Sequence, residues 1–115
     1  MKSKNAVIAL SALAHEGRLA AFRLLVKAGP AGLPAGEIAQ RLKTLPSSLS
    51  SNLMLLSNAG LVKSERDGRS IIYRANFDAM GRLLGFLVED CCNGAPEVCA
   101  PLALTLSTCA SGKCR

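Results

Sequence analysis

The chain has 115 residues, half of them hydrophobic and 19% charged, with ten glycines and five prolines. That composition fits one globular domain and excludes a disordered tail, a fibrous repeat or a two-domain enzyme. The formal charge of +6 is unevenly placed: residues 1–76 hold eleven Lys/Arg against four Asp/Glu, a net +7, whereas residues 77–115 hold three against four, a net −1.

Aromatic residues make up only 3% of the chain and Trp is absent, which argues against stacking platforms for single strands. Duplex phosphate is then the polyanion that the basic two thirds would meet. The start, Met1-Lys2-Ser3-Lys4 followed by an apolar stretch from Ala6 to Ala14, superficially matches a secretory signal with an Ala12-Leu13-Ala14 cleavage site. The spacing of Val7, Leu10 and Leu13/Ala14 is equally that of an amphipathic helix running on into Arg18-Leu19, and a first structural helix is the reading adopted. No apolar run approaches the ~18–20 residues needed to span a bilayer, so a soluble, cytoplasmic protein without a membrane partner is expected.

Leu19, Phe22, Leu25 and Val26 recur at helical spacing, and Gly29-Pro30-Ala31-Gly32 ends that second helix. A short helical segment opened by Pro34 follows, with Glu37-Ile38-Ala39-Gln40-Arg41-Leu42 in its body. After Lys43-Thr44-Leu45 a further helix begins at Pro46, runs to Asn58 and is closed by Gly60. Leu49, Leu53 and Leu56 fall on one face of it, while Ser47, Ser48, Ser51 and Asn58 point the other way. Two short helices joined by a tight turn, the second with an apolar back and a small polar front, form the pattern of a helix-turn-helix. The small front lets the helix backbone approach base edges in a major groove.

Two β-prone runs, Leu61 to Arg66 and Ser70 to Arg74, flank Asp67-Gly68-Arg69, a strong hairpin signal. This two-stranded wing carries Lys63, Arg66, Arg69 and Arg74 against Glu65 and Asp67. Turn tips are often charged, so the hairpin alone says little; beside the helix pair it points to DNA. From Asn76, a candidate N-cap, Phe77, Met80, Leu84, Leu87 and Cys91 step by three and four residues in the alternation of a helix-pairing seam. A symmetric partner copy would cover that stripe, the competing arrangement being a fold-back onto the chain's own first helix. Beyond Asp90 the sequence turns Cys-, Pro-, Ser- and Gly-rich, and Pro96 and Pro101 prevent one continuous helix.

The order of elements, together with Leu49-Ser50-Ser51-Asn52-Leu53 and Asn58-Ala59-Gly60-Leu61-Val62, resembles the ArsR/SmtB family of winged-helix metalloregulatory repressors. The resemblance covers about residues 5–92 and includes Leu13-Ala14-His15-Glu16-Gly17-Arg18-Leu19 at the entry to the second helix, Glu37-Ile38-Ala39 and the Asp67-Gly68-Arg69 wing tip. It implies a mainly helical winged helix-turn-helix with a small β-hairpin, in the order ααααββα, dimeric through its first and last helices. Residues 1–92 would form the DNA-binding and dimerisation domain, and 93–115 a tail completing an inducer site.

The DNA-facing residues expected are Ser47, Ser48, Ser50, Ser51 and Asn52 of the recognition helix, with Arg41, Lys43, Lys63, Arg66 and Arg69 on phosphate. Val7, Leu10, Phe77, Met80, Leu84 and Leu87 are expected at the dimer interface. The sequence also departs from the family. Histidine is usual where Ser51 or Asn52 stands, and charged residues where Met54 and Ser57 stand, which shifts the phosphate contacts toward the wing. Leu45 replaces a capping serine, leaving Thr44 or the following serines to satisfy the first amides. The family's cysteine cluster in the helix-turn-helix is missing, and so are the His and carboxylate pairs of its zinc sensors, because His15 is the single histidine.

All five cysteines, Cys91, Cys92, Cys99, Cys109 and Cys114, lie in the last 25 positions, a clustering that reads as a reduced thiol site and not as a disulfide framework. Three thiolates without imidazole favour a soft, thiophilic ion over Zn(II). A pyramidal three-sulfur site of Cys91, Cys92 and Cys99 suits As(III), or Sb(III) by the same chemistry, and some members of the resembled family carry an arsenite site in a C-terminal cysteine cluster. The expected function is a repressor of an arsenic-resistance operon, released from double-stranded operator DNA by the metalloid. Against it stand a thiol redox switch on the same DNA-binding dimer and, from another class, an arsenic-binding chaperone that uses no DNA. Cys91 also sits on the apolar seam, where it could serve as a small buried hydrophobe. An enzyme is not expected: there is no paired-carboxylate or phosphate-loop constellation.

Overall fold

The first helix turns its small residues inward. In the computed structural model, which describes residues 1–88, α1 (Ser3–Leu13) buries Ala6, Ala9 and Ala12 against α2 (Glu16–Ala28) and α4 (Pro46–Asn58). Alanines at that spacing let helix backbones come close. The larger Val7, Ile8 and Leu10 are left outside, Val7 with 61% of its surface exposed. The apolar spacing in this segment therefore marks an outward stripe and the core contact is alanine, a face that hydrophobic patterning does not detect.

The helix does not run on into Arg18-Leu19; it breaks at Ala14 and His15. His15 adopts an extended backbone and its imidazole Nδ1 accepts from the amides of Gly17 (3.1 Å) and Arg18 (3.4 Å), filling the role usually given to Ser or Asp. From the other side Arg18 Nε donates to the carbonyl of Ala12 (2.6 Å), satisfying one of the last acceptors of α1. The break is thus written in two side chains, and α2 then buries Ala21, Phe22 and Leu25.

Gly29 ends α2 with a positive φ of 78°, and a 3-10 turn over Gly29–Ala31 leads to Gly32, also left-handed at 70°. A Cβ on Gly32 would collide with the carbonyl oxygen of Tyr73, so only glycine lets the chain enter here. Directly after it, Leu33–Pro34 forms a short strand, β1, that sequence patterning does not signal. It pairs antiparallel with β3 (Ser70–Ala75), Leu33 opposite Tyr73 and Pro34 opposite Ile72, and β3 pairs in turn with β2 (Val62–Asp67). The small hairpin is thereby a three-stranded sheet in the order β1-β3-β2. Two residues carry no alternation to detect; Pro34 also stands at the N-cap of the next helix, which it is expected to open, and is tolerated in the strand because β1 lies at the sheet edge.

The helix α3 (Ala35–Leu42) and α4 complete the body, with Leu25, Ile38, Leu53, Leu56 and Leu61 fully buried. Asn76 caps the last helix, α5 (Phe77–Leu87), as anticipated: its Oδ1 accepts from the Ala79 amide (3.1 Å) and its Nδ2 donates to the Gly60 carbonyl (2.9 Å). Of α5 the buried residue is Leu83, absent from the expected seam, while Phe77 and Met80 are half-buried and Leu84 and Leu87 are exposed. Met1–Leu84 groups as one compact unit. The expected 92/93 boundary, the tail and all five cysteines lie outside the described residues.

Truncating Leu53 to Ala should cost about 2–5 kcal/mol, the range for a filled core position. Removing the imidazole cap with His15→Ala should cost about 1 kcal/mol, whereas His15→Asn, which keeps an acceptor, should stay close to the parent. Urea unfolding followed by circular dichroism measures all three.

Candidate nucleic-acid interface

The turn between α3 and α4 is made by three residues, Lys43-Thr44-Leu45, without a glycine. Lys43 takes the left-handed conformation at φ 52°, and its amide reaches back to the carbonyls of Ala39 and Gln40. The Thr44 amide donates to Ala39 as well (3.1 Å), which closes the C-terminus of α3 and swings the chain into α4.

The recognition helix begins at Pro46, whose missing N–H is one of the orphans of a first turn in any case. Leu45 is its N-cap and no side chain caps it, so neither Thr44 nor the serines take the role expected of them. The exposed amides at this end stay available to an anion, and the hydroxyls of Ser47 and Ser48 remain free to point outward.

Along α4 the leucines Leu49, Leu53 and Leu56 are buried, and Ser47, Ser48, Ser50 and Ser51 are exposed, as the spacing requires. Asn52 is set apart from these serines. It lies three residues after Leu49 and four before Leu56, is half-buried, and its Nδ2 stands 3.0 Å from where a Cβ on Gly17 would be. Its amide faces the start of α2, and Gly17 is what allows that approach. The exposed position continuing the serine stripe is Met54, at i, i+4, i+7 with Ser47 and Ser51.

The cations divide into engaged and free. Arg41, in the last turn of α3, pairs with Glu37 across one helical turn (3.2 Å), both largely exposed, which lowers its net attraction for phosphate. On the wing, Lys63 stands directly opposite Arg74, and Glu65, diagonal to Arg74 on the same face, takes it up at 2.6 Å. That leaves Lys63, Arg66 and Arg69 to face solvent, with Arg66 Nε resting on the Gly68 carbonyl (3.3 Å) at the tip. Only three residues, Ala59 to Leu61, separate the wing from α4, and the Leu61 amide bonds back to the Leu56 carbonyl (3.0 Å). Serine hydroxyls, a turn lysine and three wing cations thus belong to consecutive elements of one compact unit, the composition of a surface that meets duplex DNA.

Among the described residues no group of three or more His, Cys, Asp or Glu side chains is arranged to hold a metal ion, and no helix is long and apolar enough to cross a membrane.

No family model matches the chain. Over 56 residues it is 38% identical to the uncharacterized HTH-type transcriptional regulator YbzH of Bacillus subtilis (strain 168), a stretch covering 49% of this chain and 56% of that protein. The chain therefore spans little more than half the length of this curated relative. Among solved structures, an ArsR-like transcriptional regulator from Rhodococcus sp. RHA1 superposes with a TM-score of 0.65 at 28% identity, over 73% of this chain and 76% of that one. The homodimeric winged helix-turn-helix DNA-binding domain of Mb0332 from Mycobacterium bovis gives 0.62 at 26% identity, over 73% and 75%. HlyU from Vibrio cholerae N16961 gives 0.60 at 32% identity, over 76% of this chain and 97% of that one.

Replacing Arg66 or Arg69 by Ala should each flatten the slope of log affinity against log salt by about 0.9 for every phosphate left without its cation. Ser51→Ala should leave that slope unchanged, and Arg41→Ala should change it less than either wing variant. Fluorescence anisotropy on a labelled duplex across a salt series gives the comparison.

Proposed function

We propose that this chain, whose fold is that of the ArsR-type winged helix-turn-helix transcriptional regulators, is a homodimeric repressor that holds a two-fold duplex operator and releases it when As(III) or Sb(III) binds Cys91, Cys92 and Cys99. The proteins it resembles are named as transcriptional regulators. The observation that carries the DNA part is the one-sided recognition helix, leucines buried and serines exposed, followed by a hairpin with three solvent-exposed cations that form no ion pair among the described residues. In a dimer the two recognition helices would occupy successive major grooves and the wings the flanking phosphates.

Dimerisation is supported by the homodimeric relative and by apolar side chains left in solvent on the two expected helices: Val7 and Leu10 on α1, Leu84 and Leu87 on α5. Phe77 and Met80, half-buried, lie two turns and one turn before Leu84 on α5. A glutamate at Val7 should shift the protein toward monomer in analytical ultracentrifugation and weaken operator binding in step.

The metalloid part rests on donor chemistry. The chain's one histidine is occupied as a helix cap through Nδ1, and the soft donors of the sequence are thiols confined to its end. Three thiolates match the pyramidal preference of a trivalent metalloid better than the four mixed ligands of zinc. Release requires the ion to bind the DNA-free dimer more tightly than the bound one, by the roughly 1–3 kcal/mol typical of such coupling. Titrating operator-bound protein with arsenite should release it, and Cys91→Ser/Cys92→Ser should abolish the release. Absence of release rejects arsenite as inducer, and release undiminished in the double variant rejects Cys91 and Cys92 as its site. Release by mild peroxide, with loss of two hydrogens by mass spectrometry, would assign the cysteines to redox sensing.

A further inference from the structure

The surface of α4 that would enter a major groove holds almost no group able to discriminate bases by hydrogen bonding. From Ser47 through Met54 every exposed position carries a hydroxyl or a hydrocarbon-rich side chain. Asn52, the one amide in that stretch, is half-buried and turned toward Gly17. Asn58, beyond it, lines a groove of about 390 Å³ with Val7, Ile8 and Leu55 of α1 and α4. Serine bonds to donors and acceptors alike, and so separates base pairs poorly. The Arg or Lys forks that read guanine and the amides that read adenine are absent from the stripe.

Two large apolar side chains stand exposed, one on the serine stripe and one at the cap of the helix. Leu45, at the N-cap of α4, is 69% exposed, the most of any large hydrophobic residue among those described, and Met54 is 59% exposed on the serine stripe itself. Neither packs in the core, and both lie on the element that leads into the groove. In a major groove the one apolar feature that distinguishes a base is the 5-methyl group of thymine.

We infer that this protein recognises its half-site through thymine methyl groups, read by Met54 and Leu45 with the serines providing clearance, and takes its affinity from the wing. The inference rests on the DNA-binding reading above. Met54 is unbranched and adaptable, so it fits against a methyl without demanding one rigid geometry. Leu45 at the tip has the same chemistry where the helix first meets the bases.

The test uses the full-length protein and duplexes enriched from a random pool at fixed salt. Each thymine of the enriched half-site is replaced singly by deoxyuridine, which removes the methyl and leaves every hydrogen-bonding group in place. At one or more positions the affinity should fall about fourfold, the equivalent of one methyl-sized group returned to water. Met54→Ala or Leu45→Ala should bind thymine and deoxyuridine duplexes alike at the matching position while keeping the parent's salt slope. Both side chains are exposed, and far-UV circular dichroism verifies that the variants fold. Salt-dependent binding that is indifferent to deoxyuridine at every position overturns the inference alone, as does discrimination that survives in both variants. Failure to bind any duplex at low salt overturns the DNA-binding reading and the inference with it.

Discussion

Leu49, Leu53 and Leu56 hold the recognition helix by one face, and the other features of the molecule are arranged around that asymmetry. A helix that presents its opposite side to a groove must be fixed from behind, because any contact in front would block the approach. The leucines achieve this by burial against neighbouring elements, including α2 and α3, while the front is reduced to hydroxyls and one methionine. Helix propensity contributes little here, since five serines and two asparagines are middling helix formers; tertiary packing of the leucine stripe is what holds the segment helical.

The same economy of side chains governs α1. Alanines on its inner face permit close packing, which leaves the bulkier Val7, Ile8 and Leu10 in solvent. The orientation of α1 is then fixed at its C-terminus by the reciprocal caps of His15 and Arg18, each satisfying backbone groups of the helix break. Close by, Gly17 admits the Asn52 amide, so the start of α2 and the middle of the recognition helix share one small contact region.

Much of this was legible in the sequence. The bounds of α4, its leucine face, the hairpin around Asp67-Gly68 and the Asn76 cap all follow from local spacing and turn chemistry, and the structure reproduces them. What escaped was non-local or too short to have a period. The strand at Leu33-Pro34 exists only because β3 lies beside it, and the positive-φ Gly32 that leads into it belongs to a Gly-Pro-Ala-Gly run that looks like a helix end. The neutralisation of Arg74 by Glu65 depends on strand register, and the partial burial of Asn52 on the approach of α2, neither of which a count of charges and polar residues contains. Leu83 escaped because an ideal pairing seam skips it, whereas the fold needs it inward.

The Asn76 side chain has a mechanical meaning beyond capping. Its two ends hold different parts of the chain, the first turn of α5 through Oδ1 and the Gly60 carbonyl just past the recognition helix through Nδ2, while its backbone amide binds Leu61. A tilt of α5 about its start pulls on the exit of α4 through two bonds and without passing through the wing. One residue therefore ties the start of the helix expected to pair with a second copy to the exit of the helix expected to meet DNA, like a rivet through two plates.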